Sequence, residues 1–112
     1  MNLDIKATNL ELTPAIKEYI ETKIAGLSKF VEKWEKIGAI EARFELAKIS
    51  NHHNKGEVYH AEANLTLDGQ FVRAEASGED AHAVIDKVKD IMKAEITKLK
   101  SKDDPRGKNS RS

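Results

Sequence analysis

Asp68-Gly69 stands between two runs in which apolar and polar residues alternate. Before it, Tyr59, Ala61, Ala63, Leu65 and Leu67 interleave with His60, Glu62, Asn64 and Thr66; after it, Val72, Ala74 and Ala76 interleave with Phe71, Arg73 and Glu75. A two-residue hairpin turn needs positive φ at both positions, which Asp-Gly adopts at little cost, so the pair predicts an antiparallel hairpin with one buried face. Such a hairpin is marginal in water by itself. The rest of the chain has to supply further strands and a layer to cover them.

It does so on both sides. Leu3, Ile5 and Ala7 alternate with Asn2, Asp4, Lys6 and Thr8, as a half-buried strand requires. Thr13-Pro14 then reads as an N-cap followed by proline at the first helical position, where its missing N–H is not needed. From there Ile16, Tyr19, Ile20, Ile24, Leu27, Phe30, Val31 and Trp34 recur at helical spacing, which predicts one long amphipathic helix ending near Gly38. Ile40, Ala42, Phe44 and Leu46 alternate with Glu41, Arg43 and Glu45, and the run stops at the turn-like stretch Ser50-Asn51-His52-His53-Asn54-Lys55-Gly56. Past Ser77-Gly78-Glu79-Asp80, a second helix carries Val84, Ile85, Val88, Ile91, Met92, Ile96 and Leu99 on one face. The order β-α-β-β-β-α predicts an α+β fold: a two-layer sandwich with both helices on one face of a four-stranded sheet. Its solvent face would show Glu41, Arg43, Glu45, His60, Glu62, Arg73 and Glu75, a set suited to cross-strand ion pairs.

At 112 residues this is one domain, and with no cysteine it has neither disulfides nor thiolate metal ligands, as expected of a reducing compartment. No apolar run approaches the roughly 20 residues of a membrane span, and MNLDIKATNLEL lacks the pattern of a signal peptide. A cytoplasmic protein with no membrane partner is expected. Chemistry is sparse. The glycines are scattered and form no phosphate loop, and the carboxylates occupy surface positions. His52, His53 and His60 are the one set that suggests metal ligation, but adjacent side chains in an extended loop point apart. No catalytic residue, metal, cofactor or small-molecule substrate is expected.

Charge is more informative. Nineteen basic and nineteen acidic residues cancel, yet residues 98–112 alone hold six basic and two acidic groups, so an acidic body carries a basic end. At about 100° per residue, Lys29, Lys33 and Lys36 fall on one flank of the first helix, Glu21, Glu32 and Glu35 on the other, and Gly26 borders the lysine flank. Lys23 falls within the apolar stripe, its stem packed and its ammonium reaching out. On the second helix His82, Lys89, Lys93 and Lys100 line one edge, Lys87 and Lys98 the other, and Asp86 and Asp90 lie between them. The last turns also hold Lys102, where lysines stabilise a helix C-terminus with no partner at all. These lysines fit a phosphate-binding surface as well as a protein-binding module.

The linear motifs bear on that choice. Leu12-Thr13-Pro14-Ala15-Ile16, the Asp68-Gly69 hairpin, and Arg73-Ala74-Glu75-Ala76-Ser77-Gly78-Glu79-Asp80 running into Ala83-Val84-Ile85-Asp86 resemble the ribosome hibernation promoting factor family, also called ribosome-associated inhibitors or sigma-54 modulation proteins. The resemblance covers roughly residues 1–102, with 103–112 a flexible basic tail, and is to the short class without a dimerisation domain. It implies a fold like that of double-stranded RNA binding domains. It also implies a partner, the small ribosomal subunit and its rRNA, bound in the mRNA and tRNA channel so that translation is blocked under stress or in stationary phase. Off the ribosome the chain would be monomeric. By position Lys23, Lys98 and Lys100 match basic residues of the family, with Lys29, Lys33, Lys89, Lys93 and Lys102 completing the expected rRNA-binding set. Ile91 and Ala94 stand where the family has basic residues, and His82 where a tyrosine is usual, a stacking or packing position. The older family name keeps a second function in view, a regulator acting on a transcription complex through protein contacts.

Overall fold

The computed structural model describes residues 1–50 and 57–103. Its elements are β1 (Asn2–Thr8), α1 (Pro14–Ala25), a 3-10 turn (Ser28–Phe30), α2 (Glu32–Glu35), β2 (Glu41–Ser50), β3 (Glu57–Leu67), β4 (Gln70–Gly78) and α3 (Ala81–Asp103). The strands form one sheet in the order β1-β2-β3-β4, with β1 parallel to β2 and the other neighbours antiparallel. Asp68 (φ 50°) and Gly69 (φ 79°) both take the left-handed conformation that the hairpin turn demands.

The alternation of the strands becomes the division between core and solvent. Ala42, Phe44 and Leu46 of β2, Ala61, Ala63, Leu65 and Leu67 of β3, and Val72, Ala74 and Ala76 of β4 are buried. Facing them are Ile20, Ile24, Leu27, Val31 and Trp34 from the first helical segment, and Val84, Ile85, Val88, Met92 and Ile96 from α3. All belong to one hydrophobic cluster, with the half-buried Leu3 and Ile5 of β1 packed at its margin. The α+β two-layer arrangement is therefore the one that the periodicities require. On the other face, Arg73 pairs with both Glu62 and Glu75, His60 Nε2 lies 3.6 Å from Glu75, and Thr8 Oγ1 donates to Glu45 at 2.5 Å. Register sets Glu45, Glu62 and Glu75 side by side across three strands.

The single long helix expected from Pro14 to Gly38 is not what forms. The α1 hydrogen bonding ends at Gly26, after which Leu27 N–H bonds to Ile24, Phe30 to Leu27 and Val31 to Ser28, all with i−3 spacing. Glycine and serine are poor helix formers, and tightening to three residues per turn holds Leu27, Val31 and Trp34 over the sheet while the axis changes direction. The apolar stripe survives and the continuous helix does not.

β2 and β3 also run past their neighbours. β1 pairs no farther than Ala47 and β4 begins to pair at Tyr59, so Ile49 with Val58 and Ser50 with Glu57 form a two-stranded arm. The expected turn with His52 and His53 lies outside the described residues, as does the expected basic tail 103–112 apart from Asp103, which is the last residue of α3.

Candidate functional site

Two caps fix where the helices start. Thr13 Oγ1 accepts from Ile16 N–H at 3.2 Å above α1, and Asp80 Oδ1 accepts from His82 N–H at 3.0 Å at the head of α3. Since β1, β2 and β4 run the same way and each long helix turns back along the preceding strand, α1 and α3 lie parallel, side by side on the sheet. The seam between them is read in matched steps. Tyr19, Lys23, Gly26 and Phe30 on one side meet His82, Asp86, Lys89 and Lys93 on the other, each series advancing by four, three and four residues.

At the upper end the Tyr19 and His82 rings meet edge to face, with centroids 4.6 Å apart. Tyr19 OH donates to Asp86 Oδ1 at 2.6 Å, and Lys23 Nζ lies 3.1 Å from the same oxygen and 5.3 Å from the centre of the Tyr19 ring. The Tyr19 hydrogen bond, with the Lys23 ammonium beside it, holds the Asp86 carboxyl below the usual carboxylate range. The same hydrogen bond raises the Tyr19 hydroxyl above its ordinary value, and Asp86 raises the Lys23 ammonium. In mid-seam Lys89 crosses over Gly26, so close that a Cβ there would meet its Nζ at 3.3 Å. At the lower end Lys93 and Lys29 both lie over the Phe30 ring, 5.0 and 5.2 Å from its centre, and Lys33 lies over Trp34 at 5.1 Å.

Of the expected rRNA-binding lysines, the fold thus gathers Lys23, Lys29, Lys89 and Lys93 along one seam, while Lys33 lies over Trp34. Lys100, seven residues past Lys93, continues the same flank of α3. Lys98 and Lys102 are elsewhere. They border a shallow hollow with Phe71 and Arg73 of β4, and Lys98 pairs with Glu95 at 3.5 Å. Among the described residues no carboxylate lies within 4 Å of Lys29, Lys89 or Lys93. Separated by no more than the sum of their distances to the Phe30 centre, the Lys29 and Lys93 charges sit within about a Debye length, about 10 Å at 0.1 M salt, so they repel in isolation.

The wheel missed Asp86 and Phe30. It put Asp86 between two lysine edges of α3, and Phe30 entered only as an apolar residue of the stripe. The signal that would have found them was the shared four-three-four spacing in the two helices. His82 does hold a packing position, against Tyr19. His60 is engaged by Ser77 (2.6 Å) and Glu75, and among the described residues no three His, Cys, Asp or Glu side chains are placed to hold a metal ion. No helix among them is long and apolar enough to cross a membrane.

Fold and seam together define a class, small β-α-β-β-β-α sandwiches with lysines concentrated on the helical side. Comparison with known proteins makes this specific: the chain belongs to the Sigma 54 modulation protein / S30EA ribosomal protein family, whose profile matches residues 3–104. A ribosome hibernation promoting factor from Klebsiella oxytoca is 29% identical over 102 residues, covering 91% of this chain and 96% of that protein. A ribosome hibernation promotion factor from Deinococcus radiodurans is 26% identical over 98 residues, and this chain spans 48% of its length. Among solved structures, the N-terminal domain of Thermus thermophilus Protein Y superposes with a TM-score of 0.71 at 28% identity, covering 88% of this chain and 99% of that one. A ribosomal subunit interface protein from Coxiella burnetii has the same fold, with a TM-score of 0.73 at 20% identity over 90% of this chain.

Proposed function

We propose that this protein is a ribosome hibernation factor of the cytoplasm, a monomer off the ribosome, that binds the small subunit through rRNA phosphates and keeps mRNA and tRNA out of their channel under stress or in stationary phase. The observation that carries the reading is the cluster of Lys29, Lys89 and Lys93, gathered by Phe30 and Gly26 with no carboxylate within 4 Å among the described residues. A polyanion relieves the repulsion that such a cluster builds up, and the counterions it releases supply binding free energy. On the sheet's outer face Glu45, Glu62 and Glu75 stand in register and two of them hold Arg73, so this face attracts RNA less than the seam does and one orientation is favoured. Inhibition in this reading is occlusion by a folded body and needs no chemistry. The names of the relatives, which are hibernation factors and a subunit interface protein, support it.

Cosedimentation with purified small subunits tests it. Wild type should bind less tightly as salt rises, and Lys89→Glu/Lys93→Glu should abolish binding with an unchanged circular dichroism spectrum. Lys98→Glu/Lys102→Glu, on the β4 flank, should weaken it far less. Equal loss in both variants, or salt-insensitive binding to a transcription complex in place of the subunit, sinks the reading.

A further inference from the structure

Among the described residues Asp86 is the one carboxylate that reaches this lysine series. Of Lys23, Lys29, Lys89 and Lys93, only Lys23 has an acidic partner within 4 Å among the described residues. The pair is open to solvent, with the Lys23 side chain 32% and the Asp86 side chain 43% exposed, so it adds little to stability. Its effect on an approaching phosphate is larger. To engage Lys23, a phosphate must detach the ammonium from Asp86 or settle beside a carboxylate that Tyr19 OH also fixes in place. Either way, charge repulsion opposes it.

We propose that Asp86 is a specificity-determining residue: its carboxylate withholds Lys23 from phosphate and confines a bound polyanion to the Lys29, Lys89 and Lys93 end of the seam. The proposal rests on the seam being the polyanion site. It assigns Lys23 a positioning role, tying α1 to α3, in place of a contact with RNA. Removing the carboxylate charge while keeping an acceptor for Tyr19 would extend the site by one lysine and make it less discriminating.

Poly(U) titrations across a salt series, on the full chain, decide the matter. Asp86→Asn should bind roughly fivefold tighter near 0.1 M salt, its log–log salt slope steeper by about 0.7, the value of one added phosphate contact on a single strand. Lys23→Gln alone should keep the wild-type salt slope, and the double variant Asp86→Asn/Lys23→Gln should lose the gain in slope. The proposal is overturned if Asp86→Asn binds no tighter than wild type, or if Lys23→Gln alone flattens the slope by about that amount. Lys89→Glu/Lys93→Glu serves as reference. If it binds poly(U) like wild type, the seam itself is misassigned; if it loses binding while Asp86→Asn gains nothing, the seam stands and only the role of Asp86 falls.

Discussion

Asp86 touches stability as well as binding, and the two effects separate with pH. Because Tyr19 and Lys23 hold its carboxyl below the usual range, the folded state favours the ionised form. That contribution is present above the ordinary aspartate range and is lost as pH falls below about 4 through the depressed value. Tyr19 works in the opposite sense: its raised hydroxyl contributes below about pH 10 and ceases to do so as pH climbs further. Urea midpoints of wild type should therefore fall more steeply below pH 4 than those of Asp86→Asn, and the two curves should run parallel from pH 5 to 8. Curves parallel throughout would show that the Tyr19 to Asp86 link does not form. The packed stem of Lys23 was readable from sequence because a wheel places each residue relative to its own helix. Its pairing with Asp86 was not, since Asp86 comes from a later helix and the wheel is silent on how two helices are phased.

The break after α1 begins at Gly26, where the α-helical hydrogen bonding ends. Gly26 has an ordinary helical φ of −62°, so its need is for room and not for a special backbone conformation. A methyl group there would come within 3.2 Å of the Lys23 carbonyl oxygen and 3.3 Å of Lys89 Nζ. Gly26→Ala should change the unfolding free energy by less than about 1 kcal/mol, as gained helix propensity offsets the tight contact. It should nevertheless weaken poly(U) binding, because Lys89 has to move out of the seam. Unaltered binding with normal stability would mean that the position of Lys89 over Gly26 has no part in the site. Strand assignments and the Thr13 cap were legible because alternation and capping are local patterns. The helix break and the β2–β3 arm were not: one depends on how much turn tightening the sheet beneath demands, the other on pairing between distant residues.

The molecule as a whole is organised by one core, with Phe44 near its middle at 1% exposure. Phe44→Ala should cost about 3–5 kcal/mol in denaturant unfolding, enough to unfold a marginal domain. A loss below about 1 kcal/mol would indicate that the core repacks around the void. The succession of elements was written in the periodicities, and the parallel pairing of β1 with β2 is what a crossover through a helix permits. The parallel run of α1 and α3 has a further effect on a chain whose charges sum to zero. Toward the helix starts Glu11, Glu18, Glu21, Glu79 and Asp80 outnumber Lys17; toward the helix ends Lys29, Lys33, Lys36, Lys93, Lys98, Lys100 and Lys102 outnumber Glu32, Glu35, Glu95 and Asp103. The helical layer is thus an electric dipole: a distant charged surface exerts a torque on it, turning it like a compass needle before the two meet.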